Sequence, residues 1–450
     1  MAAVITHDAA PPRKQSITKV AGASLIGTTL EFYDHFIYGS AAALVFPKLF
    51  FPQASPTLSL LLALASYGVA FVMRPVGAAL FGHLGDKFGR KMVLMVTLLL
   101  MGLATFLIGC LPTYAQIGLA APLGLVLLRV VQGLALGGEW GGAAIIVNEF
   151  DPEGRRRGFF GSLVQVAAPI GLLLANGVFA AVTWWVSEDA FMSWGWRVPF
   201  LLSAILIGVG LWIRFSIAES PLFAKLEESH AEAKTPIMEV LRNHLREVGI
   251  AIGSRVGSDI AFYVFTLFLL VYLPTHLGLS KSIALNAVLL GAVAQVIGIP
   301  LFGHLSDKFG RRPVLLFGAI GGIIWSFVFF ALVNTKVPAL IVLASFGGMF
   351  FTAAMFSPLA SYIPEMFPTR VRCTGASIGF QAAGIFGGAP APMIAVPLVA
   401  AFASSTPVAI YLAVALGLVV ISVLAARETA HIGLRDVDAS SRTRLAAKRA

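Results

Sequence analysis

Residues 82–91 read Gly82-His83-Leu84-Gly85-Asp86-Lys87-Phe88-Gly89-Arg90-Lys91. Residues 303–312 read Gly303-His304-Leu305-Ser306-Asp307-Lys308-Phe309-Gly310-Arg311-Arg312. The second copy begins 221 residues after the first, close to half of the 450-residue chain. A second pair supports this register. Glu149 precedes Arg155-Arg156-Arg157-Gly158, and Glu365, 216 residues later, precedes Arg370-Val371-Arg372 and Gly375. Two motif pairs at matching places in each half indicate that one unit has been duplicated.

The surroundings of these loops say what the unit is made of. The chain is 58% hydrophobic and 12% charged, whereas a soluble domain carries about 25% charged residues. A soluble chain this apolar could not cover its surface. The apolar runs, each about 20 residues long, are those of a helical membrane protein that crosses the bilayer repeatedly. Twelve spans are expected, at 20–45, 59–83, 92–111, 117–147, 159–185 and 195–217, then at 248–273, 283–305, 314–334, 338–363, 374–402 and 407–426. At ~1.5 Å per residue each can cross a ~30 Å hydrocarbon core. The expected fold is an all-α integral membrane protein, with twelve transmembrane helices in two pseudo-symmetric six-helix bundles. The expected division is a tail (1–19), a bundle (20–217), a linker (218–247), a bundle (248–426) and a tail (427–450).

Lysine and arginine set the orientation. With both termini in the cytoplasm, 25 of the 32 basic residues fall on the cytoplasmic side. They include Arg13, Lys14, Lys87, Arg90, Arg155, Arg214, Lys234, Arg311, Arg372 and the tail residues Arg435, Arg442, Arg444, Lys448 and Arg449. Only Lys48, Arg197, Lys281 and Lys336 fall outside, while Arg74, Arg129 and Arg255 lie within spans. The net charge of +10 is therefore topology, and no nucleic acid is expected as a partner. The lipid bilayer is, with the inner membrane as location for a bacterium. Cys110 and Cys373 fall on opposite sides and are not expected to pair. The polar N-terminus has no cleavable apolar core, so no signal peptide is read. No Gly-x-x-x-x-Gly-Lys-Ser/Thr loop and no His-Glu-x-x-His group occurs, which argues against a primary pump and an intramembrane enzyme. No catalytic residue, metal or cofactor is expected.

Seven charged residues are expected inside the bilayer: Glu31, Asp34, Arg74, Arg129, Glu139, Arg255 and Asp259. Burying a lone charge there costs at least a few kcal/mol, so such residues face cavities and have partners. Glu31 and Asp34 are three apart and share a helix face. A carboxylate facing Arg129 would have its proton affinity set by that arginine, so Glu31, Asp34 and Arg129 are the candidate proton-coupling set. Arg255 and Asp259 are spaced to pair within one helix, and Tyr263 and Thr266 extend the polar stripe. Arg129, Glu139, Gln165, Arg255, Asp259 and Tyr263 are the candidate substrate contacts. Asn176, Asn286, Gln295 and Gln381 are weaker cavity candidates. His35, beside Asp34, is a candidate proton relay, but it points to a different helix face and a structural role is favoured; Arg74 is read as snorkelling or pairing with a loop. In the repeated loops, an aspartate can accept hydrogen bonds from a helix N-terminus or an arginine. Such contacts would close one face and break when the halves rock. The candidate latch is Asp86, Arg90, Glu149 and Arg157 with Asp307, Arg311, Glu365 and Arg372.

These loops resemble the signature loops of the major facilitator superfamily. A closer resemblance, to its metabolite:proton symporter family, is carried by four segments. They are Glu31-Phe32-Tyr33-Asp34 with Tyr38-Gly39; Arg129-x-x-Gln132-Gly133 leading into Gly137-Gly138-Glu139-Trp140-Gly141-Gly142; Trp194-Gly195-Trp196-Arg197-x-Pro199-Phe200 with Glu219-Ser220-Pro221; and Pro364-Glu365-x-Phe367-Pro368-Thr369. Within the family the chain looks most like the branch of shikimate transporters and related inner-membrane metabolite transporters. The resemblance implies alternating access and import driven by the proton gradient. It implies substrates that are small organic acids or zwitterions, such as shikimate, 2-oxoglutarate, citrate, proline or betaine. His35 stands where the family pattern has an aromatic residue, and the tail after Ala426 lacks the sustained heptad of osmosensing betaine carriers. The expectation is a proton-coupled symporter, working as a monomer on a small metabolite and protons. The alternatives are a proline/betaine-type uptake carrier, an uncoupled facilitator and an efflux antiporter.

Overall fold

The computed structural model describes residues 16–151, 156–216, 219–228, 235–388, 390–430, 432–434 and 436–438. Much of both expected tails and part of the linker lie outside the described residues, as do Arg13, Lys14, Arg155, Lys234, Arg435, Arg442, Arg444, Lys448 and Arg449. Twelve long helical units follow one another. The first six are α1 (Ile17–Leu44), α2 (Pro56–Phe88), α3 (Arg90–Cys110), α4 (Ala120–Glu149), α5 (Arg157–Trp185) and α6 (Gly195–Phe215). The second six are α7 (Leu245–His276), α8 (Lys281–Phe309), α9 (Arg311–Val333), α10 (Pro338–Tyr362), α11 (Thr369–Phe402) and α12 (Thr406–Ala425). No strand occurs among the described residues. Eleven of these units are both long and apolar enough to cross a membrane. The other, α1, has the length at 28 residues, but Glu31, Asp34 and His35 lower its apolarity.

Three units are interrupted. α6 begins as a 3₁₀ turn at Gly195–Arg197, α7 contains a π-helical stretch at Val264–Phe268, and α11 breaks after Gly387. Pro199 and Pro390 start new helical segments at two of these places, where proline's missing N–H costs nothing. The outward faces are apolar, as lipid requires: Ile410, Val414, Leu418 and Ile421 form an exposed stripe along α12.

The halves meet through two matching helix pairs, α2 with α11 and α5 with α8. The repeated loops lie at one end of these pairs, called the basic face below. The first glycine of each copy permits the approach. A Cβ at Gly82 would lie 2.8 Å from Thr374 Cα, and one at Gly303 would lie 2.7 Å from the Gly158 carbonyl oxygen. Any other residue would push the two halves apart. Cys110 and Cys373 are both free.

Candidate functional site

Between the halves lies a cavity lined by residues of both. The first half supplies His35 from α1, Phe71 and Arg74 from α2, and Glu139 and Trp140 from α4. The second half supplies Arg255, Asp259 and Tyr263 from α7, Gln295 from α8, and Phe380 and Gln381 from α11. The wall is mostly aromatic, with a few converging charged groups, as small-molecule sites commonly are.

The carboxylates of α1 do not face Arg129, which corrects the expected proton-coupling set. Glu31 instead meets Arg214 of α6, with Nη2 2.9 Å from Glu31 Oε1. The same Nη2 is 3.1 Å from Glu139 Oε1, and the Thr28 hydroxyl donates to that oxygen at 2.7 Å. Arg214 also donates to the Leu94 carbonyl. Two buried carboxylates thus share one guanidinium, and the Oε2 atom of each is buried without a hydrogen-bond partner. Arg214 is itself buried, so it does not belong with the loop residues that set orientation. The clue in the sequence was its position inside the expected sixth span. Asp34 lies off the cavity and accepts a 2.5 Å hydrogen bond from Ser203.

Arg129 sits one layer behind the cavity wall. It donates to Gln132 Oε1 at 3.0 Å, and Nη2 lies 3.1 Å from His35 Nδ1. Its guanidinium carbon is 4.3 Å from the Tyr38 ring centre and 4.6 Å from that of Tyr67, close enough for cation–π attraction. His35 and Arg74 stand in front of it. Arg74 does not snorkel: it is 6% exposed, lines the cavity, and places Nη2 3.0 Å from His35 Nε2. His35 does occupy a different helix face from Asp34, but that face is the cavity wall.

On the opposite wall Arg255 and Asp259 pair at 3.1 Å within α7. Arg255 also donates to the Phe380 carbonyl and lies 3.4 Å over the Phe380 ring. The other side of that ring stacks on Trp140, with centres 3.3 Å apart and planes 6° from parallel. A guanidinium and two rings thereby join the halves across the cavity. Trp140 Nε1 donates to Gln165 Oε1 at 2.7 Å, and Gln165 Nε2 donates to the Phe356 carbonyl at 2.9 Å. Both ends of Gln165 are committed between helices, and it is not on the cavity wall.

At the basic face the repeated loops form two matching clusters. Asp86 accepts from the N–H groups of Cys373 and Thr374 at 3.1 and 2.9 Å, at the start of the helix Arg372–Gly387. Asp307 accepts from the N–H groups of Gly158 and Phe159 at 2.7 and 2.8 Å, at the start of α5. Each aspartate thus caps a helix of the other half, where the helix dipole favours negative charge. Glu149 pairs with Arg372 at 2.8 Å and Arg90 at 3.5 Å. Glu365 pairs with Arg311 at 3.1 Å and Arg157 at 3.4 Å. Two further matched pairs carried no signal of their own in the reading of the loops. Glu219 accepts from the backbone of Arg90 and Lys91, and Glu428 accepts from that of Arg311 and Arg312. The Ser220 hydroxyl donates to Glu149, and that of Thr429 to Glu365.

A duplicated bundle of twelve helices around a charged central cavity defines a membrane carrier. Residues 19–249 match the family described as "Sugar (and other) transporter", and residues 251–446 match the Major Facilitator Superfamily. The inner membrane metabolite transport protein YhjE of Escherichia coli K12 is 40% identical over 96% of this chain and 99% of its own length. The shikimate transporter of the same organism is 39% identical over 88% and 91%. The proline/betaine transporter of Salmonella typhimurium LT2 is 34% identical over 93% and 85%. The solved proton:xylose symporter XylE, bound to 6-bromo-6-deoxy-D-glucose, has the same fold, with a TM-score of 0.72 at 20% identity over 94% of this chain and 98% of that one. The chain belongs to the major facilitator superfamily. It is a membrane-spanning transporter of small metabolites and not an enzyme.

Proposed function

We propose that this protein is a proton-coupled symporter that imports a small organic acid or zwitterion across the cytoplasmic membrane by alternating access, with the basic face in the cytoplasm. The observation that carries the coupling is the Glu31–Arg214–Glu139 group. One guanidinium cannot neutralise two buried carboxylates, and each has a free Oε2 atom where a proton can reside. Glu139 lines the cavity, so the pair senses whether substrate is present. The two loop clusters are the latch on the cytoplasmic side. They join the halves here and break when the cavity opens to the cytoplasm, since Asp86 and Asp307 each cap a helix of the opposite half. The similarity to metabolite and shikimate transporters supports the substrate range.

The test uses proteoliposomes without a pre-set gradient and a pH electrode. Addition of a transported substrate raises the external pH as protons enter with it. Substrate entry without a pH change removes the coupling. In Glu31→Gln and Glu139→Gln, gradient-driven accumulation is lost while substrate exchange persists.

A further inference from the structure

We propose that Arg74 holds the carboxylate of a monocarboxylic substrate, and that a proton on the Glu31–Glu139 pair exposes the positive charge which that carboxylate neutralises. The inference rests on the symport reading and adds the anion contact and the charge stoichiometry.

Arg74 is a cavity-lining cation without a carboxylate in ion-pair contact, although Asp259 lies within electrostatic reach. Among the described residues no carboxylate lies within 4 Å of it, whereas Arg255 has Asp259 and Arg214 has two glutamates. Its Nε is buried with no hydrogen-bond partner. A guanidinium only donates, and a neutral imidazole has one donor and one acceptor nitrogen. His35 lies between two arginines, with Arg74 Nη2 3.0 Å from Nε2 and Arg129 Nη2 3.1 Å from Nδ1. Arg74 Nη2 also lies 3.4 Å from Nδ1, so His35 offers one acceptor nitrogen between two arginines in either tautomer. Where Nε2 carries the hydrogen, it donates to the Tyr67 hydroxyl 2.7 Å away. Nδ1 then accepts from Arg129 at 3.1 Å, and Arg74 keeps only the longer 3.4 Å contact to the same nitrogen. Arg129 is also without a carboxylate, but it is held by Gln132, His35 and two tyrosine rings behind the wall. Of the four span arginines, Arg74 alone lines the cavity without a carboxylate within 4 Å.

The charge count points the same way. The interior of the spans holds four buried arginines, Arg74, Arg129, Arg214 and Arg255, and four buried carboxylates, Glu31, Asp34, Glu139 and Asp259. The set is neutral when every carboxylate is ionised. One proton on the Glu31–Glu139 pair leaves one positive charge, and net charge within the bilayer is costly. A single substrate carboxylate restores neutrality. The empty carrier and the carrier loaded with one proton and one monocarboxylate then carry the same charge. A zwitterion would leave the loaded carrier one charge positive.

The test begins with the purified full-length protein in detergent. Thermal stability is read against shikimate, benzoate and lactate, and against shikimate methyl ester, benzamide and lactamide. At least one acid stabilises the protein, and its neutral analogue does not. In Arg74→Gln the half-saturating concentration of that acid rises about ten- to hundredfold, and Arg74→Lys recovers part of the loss. Uptake of the same acid into proteoliposomes is unaffected by a potassium diffusion potential set with valinomycin. Stabilisation by none of the acids, equal stabilisation by the neutral analogues, unchanged affinity in both Arg74 variants, or uptake driven by the potential overturns the proposal. The acid–analogue comparison on the wild-type protein needs no variant to fold. Equilibrium binding is read without a membrane or a gradient, so a failure of the pH-electrode assay with acid binding intact removes symport and leaves the Arg74 contact standing.

Discussion

Asp86 and Thr374 lie 288 positions apart, on opposite halves, yet the Asp86 carboxylate accepts both the Thr374 N–H at 2.9 Å and the Thr374 hydroxyl at 2.8 Å. The N–H of Cys373 adds a third bond at 3.1 Å. Asp307 makes the matching contact to the start of α5. The two contacts are related by the same duplication that repeats the loop sequence, so the symmetry of the sequence reappears as a symmetry of the closure.

Asp86→Asn keeps the shape but removes the charge facing the helix N-terminus. Charge-assisted bonds and the helix dipole together make this a loss of about 1–2 kcal/mol from the closed arrangement. The open population then rises about five- to thirtyfold. Cys373 reports this directly, because it is fully buried and its own N–H is bonded to Asp86. In a Cys110→Ser background, maleimide labelling of Cys373 in Asp86→Asn accelerates by that factor. An unchanged rate would show that the contact does not hold the face closed.

Gly310 joins α8 to α9 with φ at 103°, which an L side chain rarely adopts. A Cβ there would also lie 2.7 Å from Glu428 Oε2, one of the oxygens that accept from the start of α9. Gly310→Ala is expected to cost about 1–3 kcal/mol, read as a lower unfolding temperature in detergent. Gly417→Ala is the control. That glycine lies within α12 with nothing within 4 Å of an added Cβ, so the change is neutral or stabilising by up to ~1 kcal/mol.

The spans and the duplicated loops were legible because both are local in sequence: an apolar run of ~20 residues identifies itself. Asp86 and Asp307 were legible as acceptors for a helix N-terminus or an arginine, and each meets both. The centre was less so. Counting charges along α1 and α4 found Glu31, Glu139 and Arg129, but which cation meets which carboxylate depends on helix rotation, which spacing does not set. Arg214 was counted with the loop arginines because it lies near a span end, yet its long side chain reaches back to two helices. Arg74 was read as snorkelling or pairing with a loop by the same rule, and only the cavity shows that it points inward.

Asp34 and Glu31, three residues apart, should now behave differently. Asp34 is bonded to Ser203 away from the cavity, and an amide oxygen can accept the same bond. Asp34→Asn should keep gradient-driven accumulation, with a stability change of no more than about 1–2 kcal/mol. Glu31→Gln should lose accumulation. Uptake assays on the two variants side by side, normalised to the amount of protein in the membrane, decide this. Loss in both variants would return Asp34 to the coupling machinery.

Arg214 gives the sharpest stability test of the shared-guanidinium arrangement. Arg214→Leu leaves Glu31 and Glu139 facing each other with no cation between them. Breaking a buried ion pair by removing one member costs about 3–5 kcal/mol, because the remaining charge is uncompensated. Replacing all members with neutral groups removes that penalty. Arg214→Leu alone should therefore lower the unfolding temperature strongly, and the triple change Glu31→Gln, Glu139→Gln, Arg214→Leu should recover most of it while leaving uptake without proton coupling. If the single change is as stable as the wild type, the two glutamates are not both held by Arg214. If the triple change is no more stable than the single one, the loss came from packing around the long arginine stem rather than from its charge.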